Sequence, residues 1–202
     1  MNFVQESASR LSAVVLAGGK STRFGRDKAK MEFFGQRVLD GLVEILRGYP
    51  FQKLAVVSAQ GQEREWPEPI LSLRDDQEGL GPVGGILTAL RHLPGGILVT
   101  ACDMPLVSGA LIEWLLGYYD TPADAVIPRH LGGIEPLFGI YEKSFLPAIE
   151  EAIQSGRYAL HFIIEEANVR FVDVPGPFSD RFANVNTPED YKRIQEVMAK
   201  KM

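Results

Sequence analysis

Residues Leu16–Lys28 read L-A-G-G-K-S-T-R-F-G-R-D-K and follow the apolar run Ala13-Val14-Val15. A buried strand feeding a glycine-rich loop turns backbone N–H groups toward an anion, because glycine accepts the turn and leaves no side chain in the way. Arg23 and Lys28 add positive charge to that loop. The pattern is neither the G-x-x-x-x-G-K-[ST] of a P-loop nor the G-x-G-x-x-G of a dinucleotide-binding turn. Phosphate handling is the chemistry these residues suit, with Lys as a flexible point charge and Arg as a planar fork. Lys20, Arg23, Arg26, Lys28, Lys30 and Arg37 crowd this region against only Asp27 and Glu32, although the chain as a whole carries a formal charge of −5. A basic loop on an acidic chain suits a small polyanion better than a long nucleic acid. Arg26 and Lys30 read as solvated surface.

Asp103 follows the apolar run Gly96–Cys102. A carboxylate at a strand's end can hold Mg²⁺, which needs only one or two carboxylates when phosphate oxygens complete its shell. The plainer alternative is a turn residue ahead of Met104-Pro105. Cys102 reads as a small buried residue, with no His or second Cys beside it. Gly81-Pro82-Val83-Gly84-Gly85 precedes a helical pattern. Glycines there let a ligand approach the backbone and meet the positive end of the helix. In Asn184-Val185-Asn186 the two amides share one face if the segment is extended, so they can serve an organic ligand, a phosphate or a metal site. Alternatively, Asn186 merely leads into a helix cap at Thr187. His92, His130 and His161 show no ligand spacing and read as surface or helix-face residues.

These groups need elements to position them. Leu11–Leu16, Leu54–Ser58, Ile70–Leu73 and Ile97–Ala101 read as short strands apolar on both faces, as in a covered parallel sheet. Val38–Arg47 and Gly84–His92 carry helical spacing between them, which predicts an α/β sheet with helices on both faces. Further helices are expected from Ser108 through Tyr118, over Ser144–Ser155 and Tyr158–Ala167, and from Thr187-Pro188-Glu189 to about Ala199. The stretch 125–174 is less regular and reads as an extension of the sheet. Gly18-Gly19, Ser58, Asp75 and Asp103 all follow strand ends, the edge where open α/β sheets bind ligands.

The chain of 202 residues reads as one domain over 1–202, with 1–10 a flexible leading segment. Those first residues are polar and charged, unlike a secretory signal. One cysteine excludes an internal disulfide framework and fits a reducing compartment, so a cytoplasmic location is expected. No apolar stretch is long enough for a membrane span.

The opening segment is similar to the signature L-A-G-G-x-S-x-R-M-G-x-D-K of the nucleotidyltransferases that attach a nucleoside monophosphate to molybdopterin, with Phe24 in place of Met. Gly81–Ile86, Cys102-Asp103-Met104-Pro105, Glu135-Pro136-Leu137 and Asn184–Glu189 also resemble that family's blocks, in its order. Within the family the resemblance is to the molybdenum cofactor guanylyltransferases. It implies a single α/β domain with a mainly parallel sheet, of the Rossmann-like nucleoside-diphosphate-sugar transferase type. It implies transfer of GMP from GTP to the phosphate of molybdopterin, with Mg²⁺ at Asp103 and Arg23, Lys28 and Asp103 as catalytic residues. Leu16, Ala17, Gly18, Gly19, Ser58, Asp75, Gly85, Asn184 and Asn186 are then the binding residues. Val83 and Gly84 depart from the family's G-P-L-A-G, and Ser58 stands where Asn is common. Asp76 rivals Asp75 as the family's acid at the guanine or ribose. Glu135, extended because it precedes proline, either orients the acceptor or shapes a turn, and Arg157 is a candidate contact for the pterin phosphate. Expected partners are GTP, the molybdenum cofactor, and recipient molybdoenzymes or cofactor-insertion proteins, with neither nucleic acid nor membrane. Relatives that use CTP tend to carry A-A-G in the first loop, and sugar-1-phosphate transferases keep a second late acid where Asn184 and Asn186 stand. A non-catalytic carrier of the cofactor is the alternative from another class, which intact Arg23, Lys28 and Asp103 disfavour.

Overall fold

Strands that are apolar on both faces need a sheet covered on both sides, and the computed structural model of the chain contains one. It describes residues 2–17, 32–33, 36–62, 64–120, 122–183, 185, 190 and 192–194. In chain order the elements are α1 (Phe3–Ser9), β1 (Leu11–Leu16), β2 (Glu32–Phe33), β3 (Gln36–Arg37), α2 (Val38–Arg47), β4 (Leu54–Ser58), β5 (Ile70–Arg74) and α3 (Pro82–His92). There follow β6 (Gly96–Ala101), α4 (Gly109–Leu116), β7 (Ala125–His130), β8 (Gly133–Ile134), β9 (Phe138–Tyr141), α5 (Leu146–Gln154), α6 (Leu160–Glu166) and β10 (Val169–Asp173).

The main sheet has eight strands in the order β10-β7-β9-β6-β1-β4-β5, with β8 paired to β7. β1 runs parallel to both β4 and β6, and β4 runs parallel to β5. β9 is inserted antiparallel between β6 and β7, and β10 returns parallel to β7. The fold is therefore a single α/β domain with a mixed, mostly parallel sheet. β1, β4 and β6 are buried along their whole length.

Apolar side chains of α1, α2 and α4, such as Ala8, Leu42 and Leu111, fill the core on one face of the sheet. Ile86 of α3, Ile149 of α5 and Ile163 of α6 fill the other. The Lys143 ammonium donates to the carbonyls of Leu90 and Leu93, tying the approach to α5 onto the C-terminal end of α3. A cation suits those carbonyls, which have no partner within the helix.

Residues 3–9 are a helix and not a flexible leader. Asn2 caps α1 by accepting a hydrogen bond from the Gln5 N–H at 3.0 Å, and Ala8 is fully buried. A capped helix with an apolar residue in the core has a fixed place. α3 begins at Pro82, two residues before the expected start, because proline suits the first helical position. The irregular stretch 125–174 resolves into β7–β10 with α5 and α6 between. Thr187, the expected start of the last helix, lies outside the described residues, while Asp190 and 192–194 are helical. Among the described residues no helix is long and apolar enough to cross a membrane.

Candidate active site

The parallel strands deliver their last residues to one edge of the sheet, and hydrogen bonds knit that edge together. Ala17 N–H donates to the Val57 carbonyl at 2.8 Å, Cys102 N–H to Leu16 at 3.0 Å, and Asp75 N–H to Ser58 at 3.0 Å. Leu16, Ala17, Ser58, Asp75 and Asp103 are thereby collected where ligands enter α/β sheets. Gly18, Gly19, Arg23, Lys28, Asn184 and Asn186 lie outside the described residues. Val185, between the two asparagines, is fully buried and donates its N–H to the Asp103 carbonyl at 3.1 Å.

On the β4–β5 side the wall is glycine. Gly81 has φ +56°, a conformation that glycine adopts without strain, and it opens α3 with Pro82 behind it. A Cβ on Gly85 would lie 2.8 Å from Leu16 Cδ2 and 3.5 Å from Asp75 Oδ1, so the helix and the end of β1 meet with no room for a side chain. A Cβ on Gly84 would stand 3.8 Å from Asp75 Oδ2. The Asp75 carboxyl thus faces the first turn of α3. Its Oδ1 is buried and has no hydrogen-bond partner among the described residues. Burial, helped by the charge of Asp76, pushes its pKa up to about 6. Asp76 is engaged elsewhere: its N–H donates to Thr88 Oγ1 at 3.0 Å and its carboxylate lies 3.0 Å from His92 Nε2. Of the two rivals, Asp75 faces the glycine turn.

Asp103 is half-buried at the end of β6, beside buried Cys102. Among the described residues no three His, Cys, Asp or Glu side chains gather as a metal cluster.

On the opposite side of β6, sequence reasoning missed a polar pair. His130 Nε2 and Glu135 Oε1 are 2.8 Å apart, and the two side chains are only 20% and 15% exposed. The pairing depends on the β7–β8 hairpin, in which His130 stands opposite Gly133 across a two-residue loop. Its signal was Leu131-Gly132-Gly133 between strand-like residues, a short hairpin loop. Glu135 is raised above the usual carboxylate range by burial; His130 opposes the shift and the charge of Asp103 adds to it. Phe138, three residues after Glu135, pairs with Thr100 near the end of β6, so the pair lies at the same sheet edge as Asp103. The His130 ring also stacks on Phe182, centroids 5.5 Å apart and planes 6° from parallel. Of the other histidines, His92 pairs with Asp76 and His161 is exposed. Arg157 pairs with Glu166 on the surface.

The profile of the MobA-like NTP transferase domain matches residues 13–170, which span β1 through the start of β10. The chain belongs to that family. It is 33% identical over 186 residues to a probable molybdenum cofactor guanylyltransferase of Halalkalibacterium halodurans, covering 88% of this chain and 93% of the relative. It is 28% identical over 188 residues to a protein of the same name in Thermococcus sibiricus, covering 90% and 96%. Among solved structures it superposes on molybdopterin-guanine dinucleotide biosynthesis protein A of Archaeoglobus fulgidus with TM-score 0.77 and 28% identity, over 94% of this chain and all of that one. A 4-diphosphocytidyl-2C-methyl-D-erythritol synthase of Anaerococcus prevotii shares the fold at TM-score 0.71 and 13% identity. As a member of this family the protein is a nucleotidyltransferase.

Proposed function

We propose that this nucleotidyltransferase moves GMP from GTP to the phosphate of molybdopterin in the molybdenum cofactor, in the cytoplasm. An oxygen of the acceptor phosphate attacks the α-phosphorus of GTP in line. A new P–O bond forms, the bond to the β-phosphate oxygen breaks, and pyrophosphate leaves with the electron pair. The chain's contribution is positioning and charge stabilisation. Arg23 and Lys28 neutralise the phosphates, and Gly18 and Gly19 bring backbone donors close to them. Leu16, Ala17, Ser58 and Gly85 shape the nucleotide side, and Asn184 and Asn186 hold the acceptor. The product goes on to recipient molybdoenzymes or cofactor-insertion proteins.

The observation that carries the base assignment is Asp75 Oδ1, buried opposite Gly85 and unpartnered among the described residues. A buried acceptor without a donor is costly, and guanine offers N1–H and an exocyclic amine side by side. Cytosine lacks that arrangement. Asp103, a half-buried hard-oxygen donor at the strand edge, would hold Mg²⁺, a hard cation that suits a single carboxylate beside phosphate oxygens. Bound there, it supplies neutralising charge to the nucleotide oxygens.

The test is to incubate molybdenum cofactor and Mg²⁺ with GTP or with CTP and to separate the oxidised pterins by chromatography. Guanine dinucleotide with GTP alone is expected. Product with CTP alone overturns the base assignment, and no product with either overturns the reaction.

A further inference from the structure

Resting on the reaction proposed above, we infer that Glu135, held in place by His130, binds the acceptor and reads the N–H edge of its pterin ring. The first ground is placement. Asp103 follows β6; Ser58, Asp75 and Gly85 lie on the side of β1, β4 and β5, whereas Glu135 and His130 lie on the side of β9 and β7. With the nucleotide base at Asp75, the side left for the second substrate is the one on which Glu135 lies.

The second ground is how the pair is held. Gly132 N–H donates to His130 Nδ1 at 3.0 Å. Nδ1 is therefore the unprotonated nitrogen, and the ring proton sits on Nε2. That N–H donates to Glu135 Oε1 at 2.8 Å. Only glycine permits this approach, since a Cβ at position 132 would lie 2.8 Å from His130 Cε1. Stacking on Phe182 fixes the ring plane. The Glu135 backbone is fixed too: its N–H donates to the Pro128 carbonyl at 2.9 Å, and its carbonyl accepts from Phe138 N–H at 3.1 Å.

The third ground is the acceptor capacity left over. A carboxylate offers about four lone-pair positions, and His130 occupies one. With 15% of its side chain exposed, Glu135 is reachable yet largely dry, the condition under which an unmatched hydrogen-bonding group discriminates strongly. Its occupant must bring donors. A phosphate is repelled, whereas the 2-amino-4-oxo ring of a pterin presents N3–H and an amine next to each other. Glu135 then does for the pterin what Asp75 does for guanine. His130 acts through Glu135 and is a positioning residue.

The test is a fluorescence titration of molybdopterin into the full-length wild type, E135Q, H130F and H130Q, with GTP affinity measured in parallel by calorimetry. Gln at position 135 still accepts from His130 through its carbonyl but turns an amine toward the pterin. E135Q is expected to weaken molybdopterin binding roughly tenfold or more and to leave GTP affinity unchanged. H130F keeps the stack but loses the donor and is expected to weaken binding less; H130Q, which keeps a donor, restores most of it. E135D provides a second variant that keeps the charge and is expected to bind with intermediate affinity. Wild-type binding undiminished in E135Q overturns the inference and leaves the proposed reaction standing. A fall in Mn²⁺ affinity in E135Q, read by electron paramagnetic resonance, with molybdopterin binding intact makes Glu135 a metal ligand and also overturns it. Failure of the wild type to bind molybdopterin overturns the reaction itself.

Discussion

On one side of Asp103 the site is walled by parallel strands and the glycine turn of α3; on the other, by an antiparallel hairpin whose polar side chains hold each other. At Asp75 a carboxyl oxygen is buried without a partner among the described residues. At Glu135 a carboxylate of similar burial is hydrogen-bonded to a histidine that glycine and phenylalanine fix in turn. The first arrangement stores a cost that a ligand relieves, whereas the second is preorganised and satisfied in part before any ligand arrives. The comparison suggests that a pocket can be kept ready either by leaving one group unpaired or by bracing it.

Asp103, between the two sides, gives the largest expected effect. Asp103→Ala is expected to lower turnover on the order of a thousandfold, from loss of the only described carboxylate assigned to the cation. The variant is expected to remain folded, because the Val185 N–H bonds to the backbone carbonyl of residue 103, which alanine keeps. Steady-state kinetics with circular dichroism melts checks both.

Gly85→Ala probes the glycine wall. Its Cβ must push aside the Leu16 Cδ2 methyl from 2.8 Å, which costs about 1–3 kcal/mol, set against about 1 kcal/mol that alanine gains over glycine inside a helix. Denaturant unfolding reads that loss, and the KM for nucleotide is expected to rise while the acceptor KM holds.

Asp75→Asn separates stability from binding. With the folded pKa at about 6 against an ordinary 3.8, the folded protein holds a proton that the unfolded chain releases. Asp75 therefore contributes stability below about pH 4 that is lost as pH rises through about 6. The Asn variant is expected to be more stable than wild type at pH 7, by about 1 kcal/mol after allowance for solvent screening, and the gain should vanish near pH 4. Thermal melts across that range check the sign.

Asp76→Asn removes an exposed partner of His92 and is expected to change stability by roughly 0.5 kcal/mol or less. Nucleotide KM is expected to be unchanged. A large rise there would return the base-reading role to Asp76.

Much of the nucleotide side was legible in the sequence. The strands Leu11–Leu16 and Leu54–Ser58 announce themselves because burial on both faces leaves an unbroken apolar run, and their ends fix where Ala17, Ser58 and Asp75 gather. Val38–Arg47 was legible through its helical stripe. The hairpin side was not. β9 is only four residues long, and its antiparallel insertion between β6 and β7 is decided by tertiary pairing. His130 and Glu135 meet only once the register of the β7–β8 hairpin is known; Leu131-Gly132-Gly133 marks a hairpin loop but not which side chains it brings together. The helical N-terminus was missed because its core contacts, Ala8 fully buried and Val4 packed beside it, are too few in a seven-residue helix to give a periodic signal.

The most direct test of the account is the ratio of kcat/KM for GTP over CTP, measured in the wild type and in Asp75→Asn with molybdenum cofactor as acceptor. The account predicts a strong GTP preference in the wild type that falls roughly tenfold or more in the variant. A ratio that Asp75→Asn leaves untouched, or a wild type that prefers CTP, contradicts it.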